Sequence, residues 1–269
     1  MSEWRIIRLS VFSPQMNMAI DEAMLNARIR GFIPNTLRVY MWKPSAVSIG
    51  YFQDVHDVVN VDACRKHGVE IVRRPTGGGA VYHDEVGEVT YSVVVDESSL
   101  GVKNPIGAYE KICSGVIEAL KIIGVNVDYN PGSEKACPNL VVNGKKLSGN
   151  AQLRRSGVIL QHGTILVDVN LKSMFTFLRV PWTRNLNEIL AVAEKKITSL
   201  KNELGYAISP KEVYKALKKG FSKAVNIDFF EKNLTEYELK LAEALYVKYR
   251  SRDWTFNRKV PSNLDICVI

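Results

Sequence analysis

A run of three glycines preceded by two arginines is the densest chemical signal in the sequence. The segment comprises Arg73, Arg74, Pro75, Thr76, Gly77, Gly78, Gly79, Ala80, Val81, Tyr82, His83 and Asp84. Glycines leave backbone N–H groups uncovered and arginines add fixed positive charge, so such a segment can approach a phosphate or a carboxylate closely. Its spacing matches neither the G-x-x-x-x-G-K-[ST] nor the G-x-G-x-x-G phosphate loop. A glycine-rich hairpin with ordinary surface arginines is the alternative interpretation.

Lys146 belongs to a second segment, Lys145 to Gln152, which follows the turn signal Asn143-Gly144. Strand alternation predicts that Lys146, Ser148 and Asn150 share one face. A lysine among small neighbours can reach into a cleft and supply a point charge for a phosphate or a carboxylate. For this segment alone, a solvated strand lysine is the plainer interpretation.

Three single residues are further candidates. His83 is either a catalytic base or the polar end of a strand, and it cannot share a ligand with Asp84 because adjacent strand residues point to opposite faces. His162 separates two apolar runs, which predicts a pocket lining or a bulge. Cys137 lies in a predicted loop, where nearby positive charge would favour a reactive thiolate; a buried loop thiol is the simpler interpretation.

The elements that must position these residues alternate between strands and helices over about 4–205, and helices dominate about 206–269. Apolar spacing predicts a helix from Tyr109 to Ile123, with Cys113 on its buried face. Ser209 and Thr235 each begin a capping-box pattern, which predicts two helices near the C-terminus. These patterns indicate a single domain over 1–269, of α+β or mixed α/β class.

Composition excludes several classes of protein. The chain has 269 residues, of which 46% are hydrophobic and 24% charged, as is typical of a globular domain. Its four cysteines form no C-x-x-C pair, which argues against a structural zinc site and a disulfide framework. The sequence has no signal-peptide pattern and no membrane-spanning apolar run, so we expect a cytoplasmic protein without a membrane partner.

The net charge of +8 favours an acidic or phosphorylated partner. A nucleic-acid-binding module is a remote alternative, because it would need a basic face with interleaved aromatic residues. The aromatic residues here fall mostly in predicted core elements, and no run of five or more Lys or Arg residues occurs. We therefore expect no nucleic-acid partner.

The glycine run and the lysine segment together resemble the lipoate–protein ligase family, within the wider group of biotin ligases, lipoate ligases and octanoyltransferases. Arg73 to Asp84 match the family pattern R-R-x-[ST]-G-G-G-A-V-[FY]-H-D, and Lys146 to Ala151 match K-[IVL]-[SA]-G-x-A. Supporting matches lie at Asn17 to Glu22, Val47 to Gly50, His162 to Leu166 and Ile197 to Leu200. The resemblance implies a catalytic domain with a central mixed sheet flanked by helices and a helical C-terminal end.

This resemblance implies an ATP-dependent enzyme that activates lipoate to lipoyl-AMP and transfers it to a lysine of a lipoyl domain or of glycine-cleavage H protein. Lys146 carries over as the catalytic cation. ATP, lipoate and Mg²⁺ are the expected cofactors, with the metal ligands unassigned. The residues that carry over as the ATP and lipoyl-AMP site are Arg74, Gly77, Gly78, Gly79, Ala80, Val81, Tyr82, His83 and Lys146. The candidates for the acyl slot are Val47, Ile49 and His162.

Two departures from the family pattern leave alternatives open. The chain is too short to hold the C-terminal domain of larger members, so the resemblance implies a separate small accessory protein as a partner. Ala136-Cys137-Pro138-Asn139 stands where many ligases have Arg-Asn-Asp. Because some relatives use a cysteine nucleophile in this part of the chain, the alternative function is a cysteine-dependent octanoyltransferase, in which Cys137 moves octanoate from acyl carrier protein.

Overall fold

Two sheets of different size organise the chain in the computed structural model, which describes residues 2–102, 104–133 and 136–261. The strands are β1 (Ser2–Phe12), β2 (Thr36–Trp42), β3 (Ala46–Ile49), β4 (Glu70–Arg73), β5 (Val81–His83), β6 (Glu88–Asp96), β7 (Asp128–Asn130), β8 (Asn139–Val142), β9 (Lys145–Arg155), β10 (Val158–Leu166) and β11 (Ile227–Glu231). The larger sheet has the order β11-β1-β2-β6-β10-β9-β8-β7, and the smaller one β4-β3-β5. In the larger sheet, β1 runs parallel to both of its neighbours, β11 and β2. The remaining neighbours in the order β2-β6-β10-β9-β8-β7 are all antiparallel.

Helices cover both faces of the larger sheet, which confirms the predicted fold class. They are α1 (Pro14–Ile29), α2 (Val55–Val58), α3 (Val61–His67), α4 (Pro105–Ile123), α5 (Leu171–Phe177), α6 (Leu186–Ala193), α7 (Leu200–Leu204), α8 (Pro210–Val225), α9 (Glu236–Arg250) and α10 (Arg252–Asn257). α4 and α8 pack against one face of the sheet, and α1 and α9 against the other. Cys113 on α4 is fully buried, as its place in the apolar stripe predicts, and burial raises the pKa of its thiol to about 12.

The C-terminal part of the chain combines helices with one strand. Both predicted capping boxes are present, at the start of α8 and of α9. The prediction of a helical segment over about 206–269 missed β11, which pairs in parallel with β1 and ties this segment into the larger sheet. A five-residue edge strand between two strongly capped helices has too little apolar alternation to stand out. Residues 262–269, with Cys267, lie outside the described part of the chain.

Helix α1 connects the larger sheet with the C-terminal helices through buried polar side chains. Asp21 Oδ1 accepts a hydrogen bond from Arg38 Nη1 of β2 at 2.8 Å. The adjacent Glu22 accepts from Lys248 Nζ at 2.7 Å and from the Tyr249 hydroxyl at 2.6 Å, both on α9. The segment Asn17 to Glu22 therefore fixes α1 on two sides. None of the helices in the described ranges has the length and apolar character that crossing a membrane requires.

Candidate active site

A cavity of about 690 Å³ opens among α1, β2, the smaller sheet and the β9–β10 pair. This volume falls in the range of small-molecule sites. The lining includes these residues that the sequence predicts: Arg74, Gly78, Gly79, Ala80, Val81, His83, Cys137, Lys146 and His162. The sequence candidates that do not line it are Gly77, Tyr82, Val47 and Ile49. The fold thus brings the glycine run, the lysine segment and the cysteine loop to one concave surface.

The glycine run is folded around the guanidinium of Arg74, a side chain that is almost fully buried. Arg74 Nη2 donates to the carbonyl oxygens of Gly77 and Gly79 at 2.7 and 2.8 Å. Nη1 donates to the carbonyl and hydroxyl oxygens of Ser48, both at 3.2 Å, and Nε donates to Thr76 Oγ1 at 3.1 Å. Burial lowers the pKa of Arg74 to about 10, so the group remains charged at neutral pH. Because its donors are committed within the protein, Arg74 shapes the run and contributes charge rather than free N–H groups.

Gly78 is the member of the run whose backbone requires glycine. Its φ is +88°, and a Cβ there would lie 3.0 Å from Arg74 Nη2 and 3.1 Å from Cys137 Sγ. Gly50 packs so closely on Gly78 that a Cβ at Gly50 would overlap the Gly78 carbonyl oxygen. The other two glycines of the run would meet no atom within 4 Å. The need for glycine is therefore concentrated where the loop approaches Gly50 and the Cys137 thiol.

Lys146 reaches the cavity because β9 contains a bulge. Where β8 advances by one residue, β9 advances by two, and Leu147 is the extra residue. The predicted alternation is therefore wrong beyond this point: Lys146 and Gly149, three positions apart, both line the cavity, whereas Ser148 is fully buried outside it. A bulge depends on the partner strand, so the spacing of residues within one segment does not reveal it.

A second strand-like contact fixes the Lys146 backbone. Its N–H donates to the Lys196 carbonyl at 2.8 Å, and the Thr198 N–H donates to the Lys146 carbonyl at 3.0 Å. The side chain is open to solvent through the cavity, yet the surrounding protein lowers the pKa of its amine. The negative form of Cys137 opposes this shift, and the Arg74 charge adds to it. Lys146 therefore lies within electrostatic reach of both the thiol and the guanidinium.

Cys137 lies on the loop before β8 and its thiol faces the cavity. The side chain is partly exposed, which contradicts the interpretation of a buried loop thiol, whereas Cys64 and Cys113 are buried. The negative form of Cys137 acts on the pKa of Arg74 as it does on that of Lys146, against the effect of burial. The arrangement thus places a partly exposed cysteine within electrostatic reach of two cationic groups.

His83 forms part of the cavity wall with both ring nitrogens engaged inside the protein. Nε2 lies 2.8 Å from Ser48 Oγ and Nδ1 lies 2.6 Å from Glu88 Oε2. The ring stacks on Trp42 with a centroid separation of 3.9 Å. Asp84 points elsewhere and accepts two backbone N–H groups of the following turn. As strand alternation predicts, His83 and Asp84 do not face one ligand.

His162 lines the cavity and is held at both ring nitrogens. Nδ1 lies 3.2 Å from Asp21 Oδ2, and Nε2 lies 2.7 Å from Thr76 Oγ1. Burial lowers the pKa of His162, and Asp21 opposes that shift. Burial would raise the pKa of Asp21, but the hydrogen bond from His162 and the charge of Arg38 outweigh it, so that pKa is lowered. Thr76 carries no chemical signal of its own in the sequence, although it stands inside the glycine-run motif.

Val47 and Ile49 do not occupy the position expected for walls of the acyl slot. Both are fully buried with Tyr82 in a separate cluster beside the smaller sheet. Alternation along β3 turns Ser48, between them, towards the cavity. The apolar lining includes Phe52 and Val81, and α1 and β2 add Met18, Tyr40 and Trp42. Sequence reasoning missed these three because their pattern is that of an ordinary core.

The donor atoms of the cavity do not fit the expected Mg²⁺. This ion prefers carboxylate and phosphate oxygens, and among the described residues no Asp or Glu lines the cavity. Within residues 2–102, 104–133 and 136–261, no group of three or more His, Cys, Asp or Glu side chains is placed to hold a metal ion. The two carboxylates behind the wall, Asp21 and Glu88, already accept hydrogen bonds from protein groups.

Comparison with known proteins identifies the relatives of this chain. Residues 13–222 match the family model of the lipoyl protein ligase A/B catalytic domain. Octanoyltransferase LipM of Clostridioides difficile is 34% identical over 96% of this chain and 100% of its own length. The LipM proteins of Kyrpidia tusciae and Symbiobacterium thermophilum are each 38% identical over 96% of this chain, and over 100% and 99% of their own lengths.

Solved structures of lipoate ligases share the fold. The bipartite lipoate protein ligase of Thermoplasma acidophilum has a TM-score of 0.82 and 31% identity, covering 98% of this chain and 100% of that one. A lipoate-protein ligase A bound with ATP has a TM-score of 0.83 and 30% identity, with coverage of 94% and 98%. These similarities confirm the catalytic-domain architecture that the resemblance implied.

The relatives correct the activity that the resemblance implied first. The expectation of an ATP-dependent lipoate–protein ligase is wrong, because proteins matching along nearly the whole chain at 34% to 38% identity are octanoyltransferases. The separate accessory protein expected with that ligase loses its basis as well. The glycine run and the lysine segment alone do not separate the two activities. The chain is an enzyme of the lipoate ligase and octanoyltransferase group, and it belongs to the lipoyl protein ligase A/B catalytic domain family.

Proposed function

We propose that this protein is a cysteine-dependent octanoyltransferase, which moves octanoate from acyl carrier protein to a lysine of a lipoyl domain or of glycine-cleavage H protein. The activity of its relatives supports the proposal. The observation that carries it is the Cys137 thiol, which faces the same cavity as Lys146. A cysteine nucleophile suits acyl transfer without ATP, because the thioester that it forms keeps the acyl group activated.

The cavity offers apolar surface for an octanoyl chain. Phe52, which is exposed, and Val81, which is partly exposed, contribute to it. Met18 of α1 and Tyr40 and Trp42 of β2 also line the cavity, with their side chains almost fully covered by the core. Each methylene removed from water favours binding by about 0.8 kcal/mol. The polar lining, including Cys137 and Lys146, remains available to the thioester carbonyl.

In the first half-reaction, the Cys137 thiol gives its proton to Lys146 Nζ and the thiolate attacks the thioester carbonyl of the carrier. The bond between that carbonyl and the carrier sulfur breaks, and the carrier sulfur takes the proton from Lys146. Octanoyl-Cys137 and the free carrier thiol result. Lys146 suits this role because the surrounding protein lowers the pKa of its amine. The fixed charge of Arg74 stabilises the negative charge that develops.

In the second half-reaction, the amine of the acceptor lysine attacks the carbonyl of octanoyl-Cys137. The carbon–sulfur bond to Cys137 breaks as the amide forms. Lys146 removes the proton that the attacking nitrogen must lose and returns it to the departing sulfur. The enzyme then regains its starting protonation state, and no nucleotide takes part.

Mass spectrometry of the intact protein tests the proposal. The purified chain is mixed with octanoyl-acyl carrier protein without ATP. We expect one octanoyl group on Cys137, which hydroxylamine removes and an apo lipoyl domain accepts. Cys137→Ser should lose the thioester and the transfer, whereas Cys64→Ala, which alters a buried thiol outside the cavity, should keep both.

Two results would contradict the proposal in different ways. Normal transfer by Cys137→Ser would remove Cys137 as the nucleophile. A modified acceptor that forms only when ATP and lipoate are supplied would remove the octanoyltransferase activity itself.

A further inference from the structure

A buried chain of hydrogen bonds connects helix α1 with the glycine run, and the transfer steps above do not use it. The His162 ring lies between Asp21 Oδ2, at 3.2 Å from Nδ1, and Thr76 Oγ1, at 2.7 Å from Nε2. Thr76 Oγ1 also accepts from Arg74 Nε at 3.1 Å. Asp21 and Thr76 are fully buried, so water does not compete for these bonds.

The surroundings of Asp21 determine where the protons lie. Its carboxylate accepts hydrogen bonds at 2.8 to 2.9 Å from three further donors, Arg38 Nη1, the Tyr40 hydroxyl and the Ser92 hydroxyl. An anionic Asp21 requires a proton on His162 Nδ1. Burial lowers the pKa of His162 and so favours its neutral ring. Nε2 then has no proton and accepts the Thr76 hydroxyl proton.

All donors along the chain consequently point the same way. Arg74 donates to Thr76, Thr76 donates to His162, and His162 donates to Asp21. Bonds oriented in one direction strengthen one another in a buried environment. At the outer end, Arg74 holds the two carbonyl groups on either side of Gly78, the residue that flanks the Cys137 thiol.

We propose that His162 is a positioning residue, which acts through Thr76 and Arg74 to hold the glycine run against Cys137. It places the Arg74 charge and Gly78 beside the thiol, in addition to lining the cavity. The part of the inference that concerns transfer rate rests on the proposed octanoyltransferase function. The part that concerns the environment of Cys137 does not.

A double-mutant cycle tests the route from His162 to the loop. Thr76→Val and His162→Asn each remove the bond between these residues, and the Asn amide nitrogen keeps a donor towards Asp21. We expect the rate of single-turnover acylation of Cys137 to fall ~10²-fold in each single variant. The rate in the double variant should equal that in either single variant, because both substitutions break the same bond. Losses that multiply in the double variant would overturn the proposal, as would an unchanged rate in His162→Asn.

His162→Gln is the matched variant that separates positioning from folding. Its amide reaches the place of Nε2 and offers an oxygen to the Thr76 hydroxyl. We expect this variant to acylate Cys137 about tenfold faster than His162→Asn at similar thermal stability. Equal rates for the two variants would overturn the proposal.

Two measurements need no acyl donor. Alkylation of Cys137 by iodoacetamide should show the same non-additive pattern across the cycle. If the pattern appears but the wild-type protein transfers no octanoate, the proposed function fails and this inference stands. Intact transfer without the pattern overturns this inference alone.

The protonation of His162 is the second measurement. In nitrogen-15 spectra of labelled histidine, we expect His162 to carry its proton on Nδ1. A proton on Nε2 would contradict the direction of the hydrogen bonds from Arg74 to Asp21.

Discussion

Gly149 leaves the space into which the Lys146 side chain folds. A Cβ at Gly149 would lie 2.7 Å from Lys146 Nζ and from its Cε. Residues three apart on a regular strand point to opposite faces, but the bulge at Leu147 puts both residues on the cavity surface. The position of the amine therefore depends jointly on a bulge and on a residue without a side chain.

Gly149→Ala should displace the amine without unfolding the protein. The new methyl group meets the far end of a flexible side chain, so we expect the free energy of unfolding to change by about 1 kcal/mol or less. The rate of Cys137 acylation should fall ~10²-fold, because a proton acceptor moved by an ångström is poorly placed. Urea unfolding and single-turnover kinetics measure the two effects. Normal acylation in this variant would mean that Lys146 works equally well from another rotamer.

Gly78→Ala should damage the site far more than Gly77→Ala, although the two glycines are adjacent. Gly78 has a positive φ and faces Arg74 and Cys137, so a methyl group there strains the backbone and crowds the thiol. Gly77 has open space at its Cβ position. We expect Gly78→Ala to lose ~10²-fold or more in acylation and Gly77→Ala to lose less than about tenfold. Similar losses in both variants would contradict the distinction between them.

The strand and helix patterns predicted the fold class, and the resemblance to the lipoate–protein ligase family predicted that the two chemical segments share one site. It could not predict contacts between distant segments, such as the one between His162 and Asp21, which are 141 positions apart. Local patterns also hid the bulge at Leu147, since register depends on the partner strand. The sequence also does not reveal which face of β3 is turned to the cavity, and the structure places Ser48 on that face, with Val47 and Ile49 on the other.

Lys146→Arg should separate the charge of the lysine from its capacity to accept a proton. Since the pKa of Lys146 is lowered, its free amine forms at a lower pH than the ordinary 10.5. The acylation rate of the wild type should therefore rise with pH through that lowered pKa. Arginine keeps the positive charge but does not release its proton, so we expect a ~10²- to 10⁴-fold loss and no such rise.

The pH–rate profile of single-turnover acylation measures this difference. Because Cys137 and Lys146 interact, the pKa seen in the profile belongs to the pair. Asn150→Asp is an unsuitable control, since it changes the charge of the cavity lining; Lys201→Arg, in a surface pair with Asp168, is a suitable one. A Lys146→Arg profile that still rises as in the wild type would exclude Lys146 as the base.

Glu22→Ala should destabilise the protein without affecting the chemistry directly. Glu22 accepts from Lys248 and Tyr249 inside the contact between α1 and α9, and its removal leaves the buried Lys248 amine without its carboxylate. Breaking a buried ion pair by removing one partner costs about 3–5 kcal/mol. The control is Lys240→Ala, which breaks an exposed ion pair with Glu236 on α9 and should leave the free energy of unfolding unchanged within error. Urea unfolding compares the stability of the two variants. The folded fraction of the Glu22→Ala protein should acylate Cys137 at the wild-type rate, because Glu22 does not line the cavity. A loss of rate in the folded fraction would show that α9 influences the site through α1, where Asp21 adjoins Glu22.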